Sequence, residues 1–117
     1  MSQAKSITTQ EFETLKNTAG IYLVDFWAPW CGPCKAMAPI FDDLMADSDL
    51  STITFLKADV DEEAELSEQF KVTTIPTFYL VNLKGDGTFD LTTDVLLKQS
   101  GTISGFDFKV KLVNAIK

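Results

Sequence analysis

The sequence contains no histidine and only two cysteines among its 117 residues. Without histidine, the chain lacks the commonest acid or base at neutral pH and the commonest metal ligand. Two cysteines are too few for the multiple disulfides that hold small secreted domains together, and a chain of this length can bury a core without them. These absences exclude a histidine-based site and a disulfide-rich secreted scaffold.

Positive charge is also scarce, because 10 Lys and Arg residues face 17 Asp and Glu residues and give a net charge of -7. Such a balance argues against binding to nucleic acids or anionic membranes, which attract basic surfaces. No apolar run approaches membrane-spanning length, and the polar segment 1–9 has no signal-peptide core. We therefore expect a cytoplasmic protein that binds neither membrane nor nucleic acid.

The composition is that of a globular protein, with 45% hydrophobic and 23% charged residues. No repeat or linker divides the chain, so we expect one domain over residues 1–117. Alternating strand and helix patterns predict an α/β fold, with the first two core strands parallel and the last two antiparallel. The predicted strands span residues 21–27, 53–58, 77–83 and 95–99. Four helices are predicted: one that begins after Thr8, one over 35–45, one over 61–70 and one that begins after Ser104. In the last helix, we expect Phe106, Val110 and Val113 to face the core.

The two cysteines, Cys31 and Cys34, follow an apolar strand and open a helix. Residues three apart on a helix have Cβ atoms about 5–6 Å apart, which permits a disulfide with little backbone movement. Closing so small a loop adds little stability, so a working disulfide is more plausible than a structural one. Two alternatives are half of a zinc site and two incidental buried cysteines, but two cysteines without histidine do not complete a zinc site.

The helix start gives the two sulfurs different roles. Cys31 lies where unpaired amides and the helix dipole favour an anion, so we expect a lowered pKa and a nucleophilic thiolate. Cys34 lies one turn further in and should be more buried, as the resolving cysteine. Gly32 permits a tight turn and close approach by a partner chain, and Pro33 is tolerated in a first helical turn.

Two charged residues interrupt the predicted core strands. Asp25 lies six residues before Cys31 in an apolar run, where a carboxylate is costly unless it is paired or neutral. We interpret it as a carboxyl of raised pKa that exchanges protons with Cys34, the alternative being a strand-edge aspartate facing solvent. Lys57, in the neighbouring strand, either pairs with Asp25 or extends its amine to solvent.

Two further features concern Trp30, beside the cysteines, and the Ile75-Pro76 segment, far along the chain. Trp30 directly precedes Cys31 and is either a core aromatic or an exposed binding platform; its position favours the platform. Ile75 and Pro76 stand at the entry to the third predicted strand, where a proline marks a turn and either peptide isomer is possible.

The sequence resembles the thioredoxin family over residues 7–117. The residues that carry the resemblance are the segment 24–35 (VDFWAPWCGPCK), Pro39, Lys57, the segment 59–61 (DVD), the segment 75–77 (IPT) and Gly101. This family is itself a standard example of a cysteine pair with a lowered pKa, so the low pKa expected for Cys31 is not independent of the resemblance.

The resemblance implies a thioredoxin fold, a central mixed sheet flanked by helices, and a protein-disulfide reductase that works through a reversible Cys31–Cys34 disulfide without a separate cofactor or metal. It implies that Asp25 and Lys57 are buried near Cys34 and that Pro76 is cis. It implies a substrate groove made of Trp30, Gly32, Pro33, Ile75, Pro76 and Gly101. The implied partners are disulfide-containing proteins and a thioredoxin reductase, and we expect a monomer that serves cell redox homeostasis and electron transport.

The chain departs from the family pattern between Gly85 and Gly101, where we expect an enlarged hairpin. Because this hairpin leads into Gly101, it puts partner specificity in doubt. Pro33 occupies the position where isomerases and oxidases of this family usually carry histidine, so an isomerase is the weaker enzymatic alternative. A binding module that does not use its thiols is the non-enzymatic alternative.

Overall fold

The computed structural model describes residues 3–117, so the first two positions of the predicted domain and of its polar N-terminal segment lie outside the described residues. Five strands and four α-helices alternate along this part of the chain. They are β1 (Lys5–Ser6), α1 (Thr9–Leu15), β2 (Gly20–Trp27), α2 (Gly32–Met45), β3 (Ile53–Asp59), α3 (Ala64–Gln69), β4 (Thr77–Leu83), β5 (Val95–Ser100) and α4 (Gly105–Ala115), with a short 3₁₀ helix at Ser48–Leu50 before β3.

The strands form one mixed sheet in the order β1-β3-β2-β4-β5. The strands β1, β3 and β2 run parallel, and β4 is antiparallel to both β2 and β5. The predicted α/β fold and the predicted strand directions are therefore confirmed. The edge strand β1 was not predicted, because two residues are too few to show an alternating pattern.

Helices cover both faces of the sheet and enclose a separate apolar core on each side. On one face, residues of α2 and α4 pack against Leu23, Phe55 and Phe78. On the other, Phe12 of α1 and Leu66 of α3 pack against the second face of the same strands. The central strand β2 is thus buried on both faces, as its continuous apolar sequence predicts.

Local sequence patterns set the helix starts correctly at α1 and α4. Thr8 accepts a hydrogen bond from the Glu11 amide at 3.0 Å, and Glu11 accepts one from the Thr8 amide at 2.9 Å, so the two residues form a capping box at the predicted helix start. Ser104 caps α4 by accepting from the Asp107 amide. The helix α2 begins at Gly32 and not at residue 35, because Cys31 is its N-cap.

The predicted core stripe of α4 is wrong at two of its three positions. Phe106 is 76% exposed and Val110 is 43% exposed, and only Val113 packs against the core. Phe108 and Leu112 are buried instead, with the Phe108 ring 5.0 Å from that of Phe78. The helix α4 has apolar residues on two sides. Their spacing in the sequence does not show which side faces the core, and packing against the sheet decides it.

The connection between β4 and β5, residues 84–94, lies at the end of the sheet opposite the cysteines. Leu83 pairs with Gly20 at the start of β2, whereas the cysteines follow the end of β2. The segment 84–94 is a loop without strand structure. Its Gly87 amide donates a hydrogen bond to the Lys16 carbonyl at 3.0 Å. This placement does not support the doubt about partner specificity, which rested on the hairpin leading into Gly101, and the enlargement relative to relatives stays a prediction.

Candidate active site

A disulfide joins Cys31 and Cys34 across the first turn of α2, with the two Cα atoms 5.3 Å apart. The Cys34 amide donates to Cys31 Sγ at 3.2 Å, so the sulfur occupies the acceptor position that a capping side chain normally fills. In the reduced state the same amide would stabilise a negative charge on Cys31. The geometry matches the expected working disulfide at a helix start.

The two cysteines are equally inaccessible in this oxidised state, which contradicts the expectation that Cys34 would be the more buried. Cys31 is 4% exposed and Cys34 is 5% exposed. Cys31 is covered because its sulfur lies 3.9 Å from the carbonyl oxygen of Ile75, which belongs to a loop 44 residues further along the chain. Sequence spacing gives no information about this cover. Gly32 and Pro33, between the cysteines, are exposed.

The loop that covers Cys31 contains a cis peptide bond between Ile75 and Pro76, as the resemblance implied. The Pro76 carbonyl accepts a hydrogen bond from the Gly101 amide at 2.9 Å. Gly101 has a φ of 78°, a left-handed conformation that favours glycine. The structure therefore brings Ile75, Pro76 and Gly101 together beside Cys31, although they lie far apart in sequence.

Trp30 is 68% exposed, which favours the binding platform over the core aromatic. Its Nε1 donates to Asp61 Oδ2 at 2.6 Å, and this bond fixes the ring beside the disulfide. Trp30 and Ile75 line one shallow depression of about 170 Å³, with residues from the segment 72–74. Gly32, Pro33, Pro76 and Gly101, the other residues of the predicted groove, do not line this depression.

Asp61 is a site residue that the sequence did not identify. It was assigned to the first turn of a helix over residues 61–70, but α3 begins only at Ala64. Asp61 instead lies in a turn, where its amide donates to Asp59 Oδ1 at 2.9 Å. No local pattern links it to Trp30, because the two residues are 31 positions apart.

Asp25 is buried within β2, with 4% of its area exposed, so the alternative of a solvent-facing strand edge is wrong. Burial raises its pKa to about 7 from 3.8, and the nearby charge of Lys57 opposes this shift. Its Oδ1 atom accepts no hydrogen bond from residues 3–117. The carboxyl is therefore close to half-protonated at neutral pH, as a proton-transfer group requires.

Lys57 is the residue of β3 paired with Asp25 in the parallel register. Its Nζ lies 5.4 Å from the centroid of the Trp27 ring, a cation–π arrangement, and its charge lowers the pKa of Asp25. The side chain is half-buried. The lysine charge therefore acts on Asp25, as the first of the two predicted possibilities requires, and the side chain is neither fully buried nor fully exposed.

Within residues 3–117, no three or more Cys, Asp or Glu side chains form a group that could hold a metal ion. Over the same residues, no helix is long and apolar enough to cross a membrane.

The chain combines a mixed sheet flanked by helices with a Cys-Gly-Pro-Cys disulfide at the start of α2, and a cis-proline loop lies against this disulfide. These features define a thioredoxin-like fold with a disulfide-forming site. The Thioredoxin family profile matches residues 3–95. The chain therefore belongs to the thioredoxin family. Members of this family use a redox-active disulfide and need no separate cofactor.

Individual relatives agree with this assignment. The chain is 43% identical over 68 residues to a thioredoxin of Coprinus comatus, covering 58% of this chain and 64% of that protein. It is 44% identical over 71 residues to a thioredoxin of Staphylococcus aureus, covering 61% of this chain and 66% of that protein. The matched part thus spans less than two thirds of these relatives.

Solved structures match over nearly the whole chain. Mitochondrial thioredoxin 3 of Saccharomyces cerevisiae, in its oxidised form, has a TM-score of 0.75 and 28% identity, over 95% of this chain and 94% of that one. Plasmodium falciparum thioredoxin has a TM-score of 0.76 and 28% identity, over 95% of this chain and 98% of that one. The fold of the family therefore extends through β5 and α4, beyond the segment that the family profile covers.

Proposed function

We propose that this chain is a thiol-disulfide oxidoreductase that reduces disulfide bonds in other proteins. The observation that carries the proposal is the Cys31–Cys34 disulfide at the start of α2, the helix that follows β2, and β2 holds a buried carboxyl of raised pKa. Membership of the thioredoxin family supports it. Pro33 between the cysteines favours a reductase over an isomerase.

In the first step, the Cys31 thiolate of the reduced chain attacks one sulfur of a substrate disulfide. A bond forms between Cys31 Sγ and that sulfur, the substrate disulfide breaks, and the second substrate sulfur leaves as a thiolate that takes a proton from water. The Cys34 amide, which donates to Cys31 Sγ in the oxidised state, stabilises the attacking thiolate by the same contact.

In the second step, Cys34 resolves the mixed disulfide. The ionised Asp25 carboxylate accepts the Cys34 proton, and the resulting thiolate attacks Cys31 Sγ. The Cys31–Cys34 bond forms, the mixed disulfide breaks, and the remaining substrate sulfur leaves as a thiolate. Two electrons have then passed from the two cysteines to the substrate. Lys57 contributes by favouring the ionised form of Asp25.

The proposed substrate contacts surround the buried disulfide. Trp30, held by Asp61, forms one wall, and Ile75 lines the same depression. Gly32, Pro33, Pro76 and Gly101 complete the predicted surface. The exposed Gly-Pro segment leaves room for an extended substrate chain, because neither residue carries a long side chain.

The reductase requires a partner that returns two electrons to the oxidised chain, and we propose a thioredoxin reductase for this step. The remaining parts of the proposal are a single domain over residues 1–117, a monomer, a cytoplasmic location, and a role in electron transport and cell redox homeostasis. The net charge of -7 favours protein substrates over nucleic acids or anionic membranes.

An insulin-reduction assay with dithiothreitol tests the proposal directly. The wild type should accelerate precipitation of the insulin B chain, and Cys31→Ser and Cys34→Ser should both reduce the rate to that of dithiothreitol alone. A wild type no faster than either variant would refute the enzymatic assignment and favour a binding module. A reduction potential near those of oxidases would refute the assignment as a reductase.

Rapid-mixing kinetics with a labelled peptide disulfide tests the role of Asp25. Asp25→Asn should slow resolution of the mixed disulfide at least about tenfold and slow its formation much less, since Asp25 acts on Cys34. Glu11→Gln is a control that removes a carboxylate from the capping box of α1. Equal slowing of formation and resolution by Asp25→Asn would contradict proton transfer to Cys34.

A further inference from the structure

The helix α4 has apolar side chains on two sides, and only one side is used by the core. Phe108 and Leu112 are fully buried against the sheet. Phe106 and Val110, one turn apart, are 76% and 43% exposed. A single exposed apolar side chain is ordinary on a protein surface, so exposure alone indicates no function. A function for Phe106 and Val110 depends on the surface next to them.

Phe106 stands at the edge of a depression between α2 and α4. Ile40 and Leu44 of α2 form its apolar floor, and its volume is about 240 Å³. The two helices approach closely at its end, where a Cβ on Gly105 would lie 3.7 Å from Ile40 Cγ2. The depression therefore offers an apolar seat with an aromatic wall, the surroundings in which an anchoring side chain of a partner is usually found.

The rim of this depression is negatively charged. Lys109 pairs with Asp47 at 2.8 Å and with Asp49 at 3.0 Å, so one ammonium faces two carboxylates. Asp43 also lines the depression and forms no ion pair with any of residues 3–117. Asp43 and Asp47 line the depression with the single Lys109, whose charge is also shared with Asp49 outside it, so the surface favours an occupant that carries positive charge.

We propose that the α2–α4 depression is a docking surface for a protein partner, which inserts one apolar side chain against Phe106 and Ile40 and places neighbouring Lys or Arg residues against Asp43 and Asp47. Nucleic acids and anionic membranes carry the wrong charge for this rim. A second copy of the chain would bring two acidic rims together, which disfavours self-association through this face.

The docking surface is separate from the disulfide. Ile40 follows Cys34 by six residues on α2, so the two lie about 9 Å apart along the helix axis. A partner can therefore occupy the surface whatever the redox state of the cysteines. The proposal goes beyond disulfide reduction and does not depend on it.

Amide chemical shifts of the ¹⁵N-labelled oxidised chain test the proposal. The probe is a blocked helical peptide of Ala and Lys with Leu at positions i and i+4, and the matched control replaces each Lys by Glu. The Lys peptide should give saturable shifts at Ile40, Leu44, Phe106 and Lys109, and the Glu peptide should bind at least about tenfold more weakly. Raising the salt from about 0.05 to 0.3 M should weaken binding of the Lys peptide severalfold.

Surface variants identify the anchor. Phe106→Ser should weaken binding of the Lys peptide about tenfold, whereas Leu96→Ser, which alters a 39% exposed leucine of β5, should leave it unchanged. Asp43→Asn should weaken binding severalfold because it removes a rim charge. The spectra themselves show whether each variant is folded, and the proposal predicts the same affinity for the Cys31→Ser/Cys34→Ser double variant.

Several results would overturn the proposal. They are equal affinity for the Lys and Glu peptides, no loss of affinity in Phe106→Ser, or no shifts in this region at peptide concentrations up to about 2 mM. Shifts of the same amides that depend on the concentration of the chain alone, with a dimer in sedimentation velocity, would assign the surface to a second copy instead. None of these results affects the insulin assay, so the two proposals fail independently.

Discussion

Two aspartates at opposite ends of the molecule are equally buried and have opposite pKa shifts. Asp25 and Asp94 are each 4% exposed. Burial raises the pKa of Asp25 to about 7. The Asp90 amide, which donates to Asp94 Oδ2 at 2.8 Å, and Lys84 Nζ, 3.3 Å from Asp94 Oδ1, hold the pKa of Asp94 below its ordinary value. Asp25 lies inside the central strand and Asp94 in a surface loop, so the donors around a carboxyl and the depth of protein around it together decide its charge.

The difference follows the division of the sheet into two ends. At the disulfide end, a carboxyl oxygen of Asp25 lacks a donor among residues 3–117, and a tryptophan stands exposed. At the far end, the loop 84–94 satisfies its carboxylates within itself and buries Phe89 against Phe12 and Phe70, with ring centroids 5.5 and 4.8 Å away. The disulfide end therefore holds Asp25, whose charge can change near neutral pH, and the far end holds the loop 84–94 in a fixed position.

The largest expected effect on the free energy of unfolding comes from replacing Asp25. The folded chain holds the Asp25 proton more tightly than the unfolded chain, whose aspartate titrates near 3.8, so the stability of the wild type falls as pH rises from about 4 to 7. The loss amounts to about 4 kcal/mol above pH 7. Asp25→Asn lacks this ionisation and should exceed the wild type in free energy of unfolding by about that amount at pH 8.

Urea unfolding of the oxidised proteins at several pH values measures this difference. The two proteins should have similar stability near pH 4 and diverge as the pH rises. Curves that stay parallel from pH 4 to 8 would show that the folded chain does not hold the Asp25 proton.

The next effect concerns the anchor at the far end. Phe89→Ala should lower the free energy of unfolding by about 3 kcal/mol, because it removes a half-buried ring from contact with two others. The insulin-reduction rate should stay within about twofold of the wild type, since the loop lies at the opposite end of the sheet.

Trp30→Ala is the matched control at the disulfide end. Its ring is mostly exposed, so the expected change in stability is below about 0.5 kcal/mol, while the insulin-reduction rate should fall about tenfold. A large loss of activity in Phe89→Ala would show that the two ends are coupled.

A smaller effect than that of Phe89→Ala is expected when the same substitution is applied to the second aspartate. Asp94→Asn should lower the free energy of unfolding at pH 7 by about 2 kcal/mol, because it removes the charge that its donors stabilise. Since the folded pKa of Asp94 is depressed, this contribution is present above the unfolded pKa and is lost as the pH falls through the folded pKa. The deficit should therefore shrink below about pH 4, opposite in sign and pH range to Asp25→Asn. A deficit that persists unchanged at low pH would indicate a packing effect.

Features that depend on neighbouring residues were predictable from the sequence. The capping box of Thr8 and Glu11 and the helix start after the strand with Asp25 are local, and apolar content on both sides identified β2 as the buried central strand. The buried position of Asp25 followed because a charge inside such a strand has no route to solvent.

Features that depend on distant contacts were not predictable. The side of α4 that faces the core is chosen by Phe78 on another strand, so Phe106 and Val110 were assigned wrongly. The cover over Cys31 and the bond from Trp30 to Asp61 also join remote segments. The position of the loop 84–94 was accessible in principle, because a strand that enters beside Pro76 must leave at the other end.

The glycine turn in that loop gives the molecule a natural place for a reporter. Thr88 is exposed and follows Gly87, and the strand that separates this end from the cysteines has eight residues. A dye attached at Thr88 would therefore lie about 25 Å from the disulfide. Paired with a second dye on a bound substrate peptide, it falls within the distance range of energy transfer, so formation and release of the complex become visible as changes in emission without any label near the reacting sulfurs.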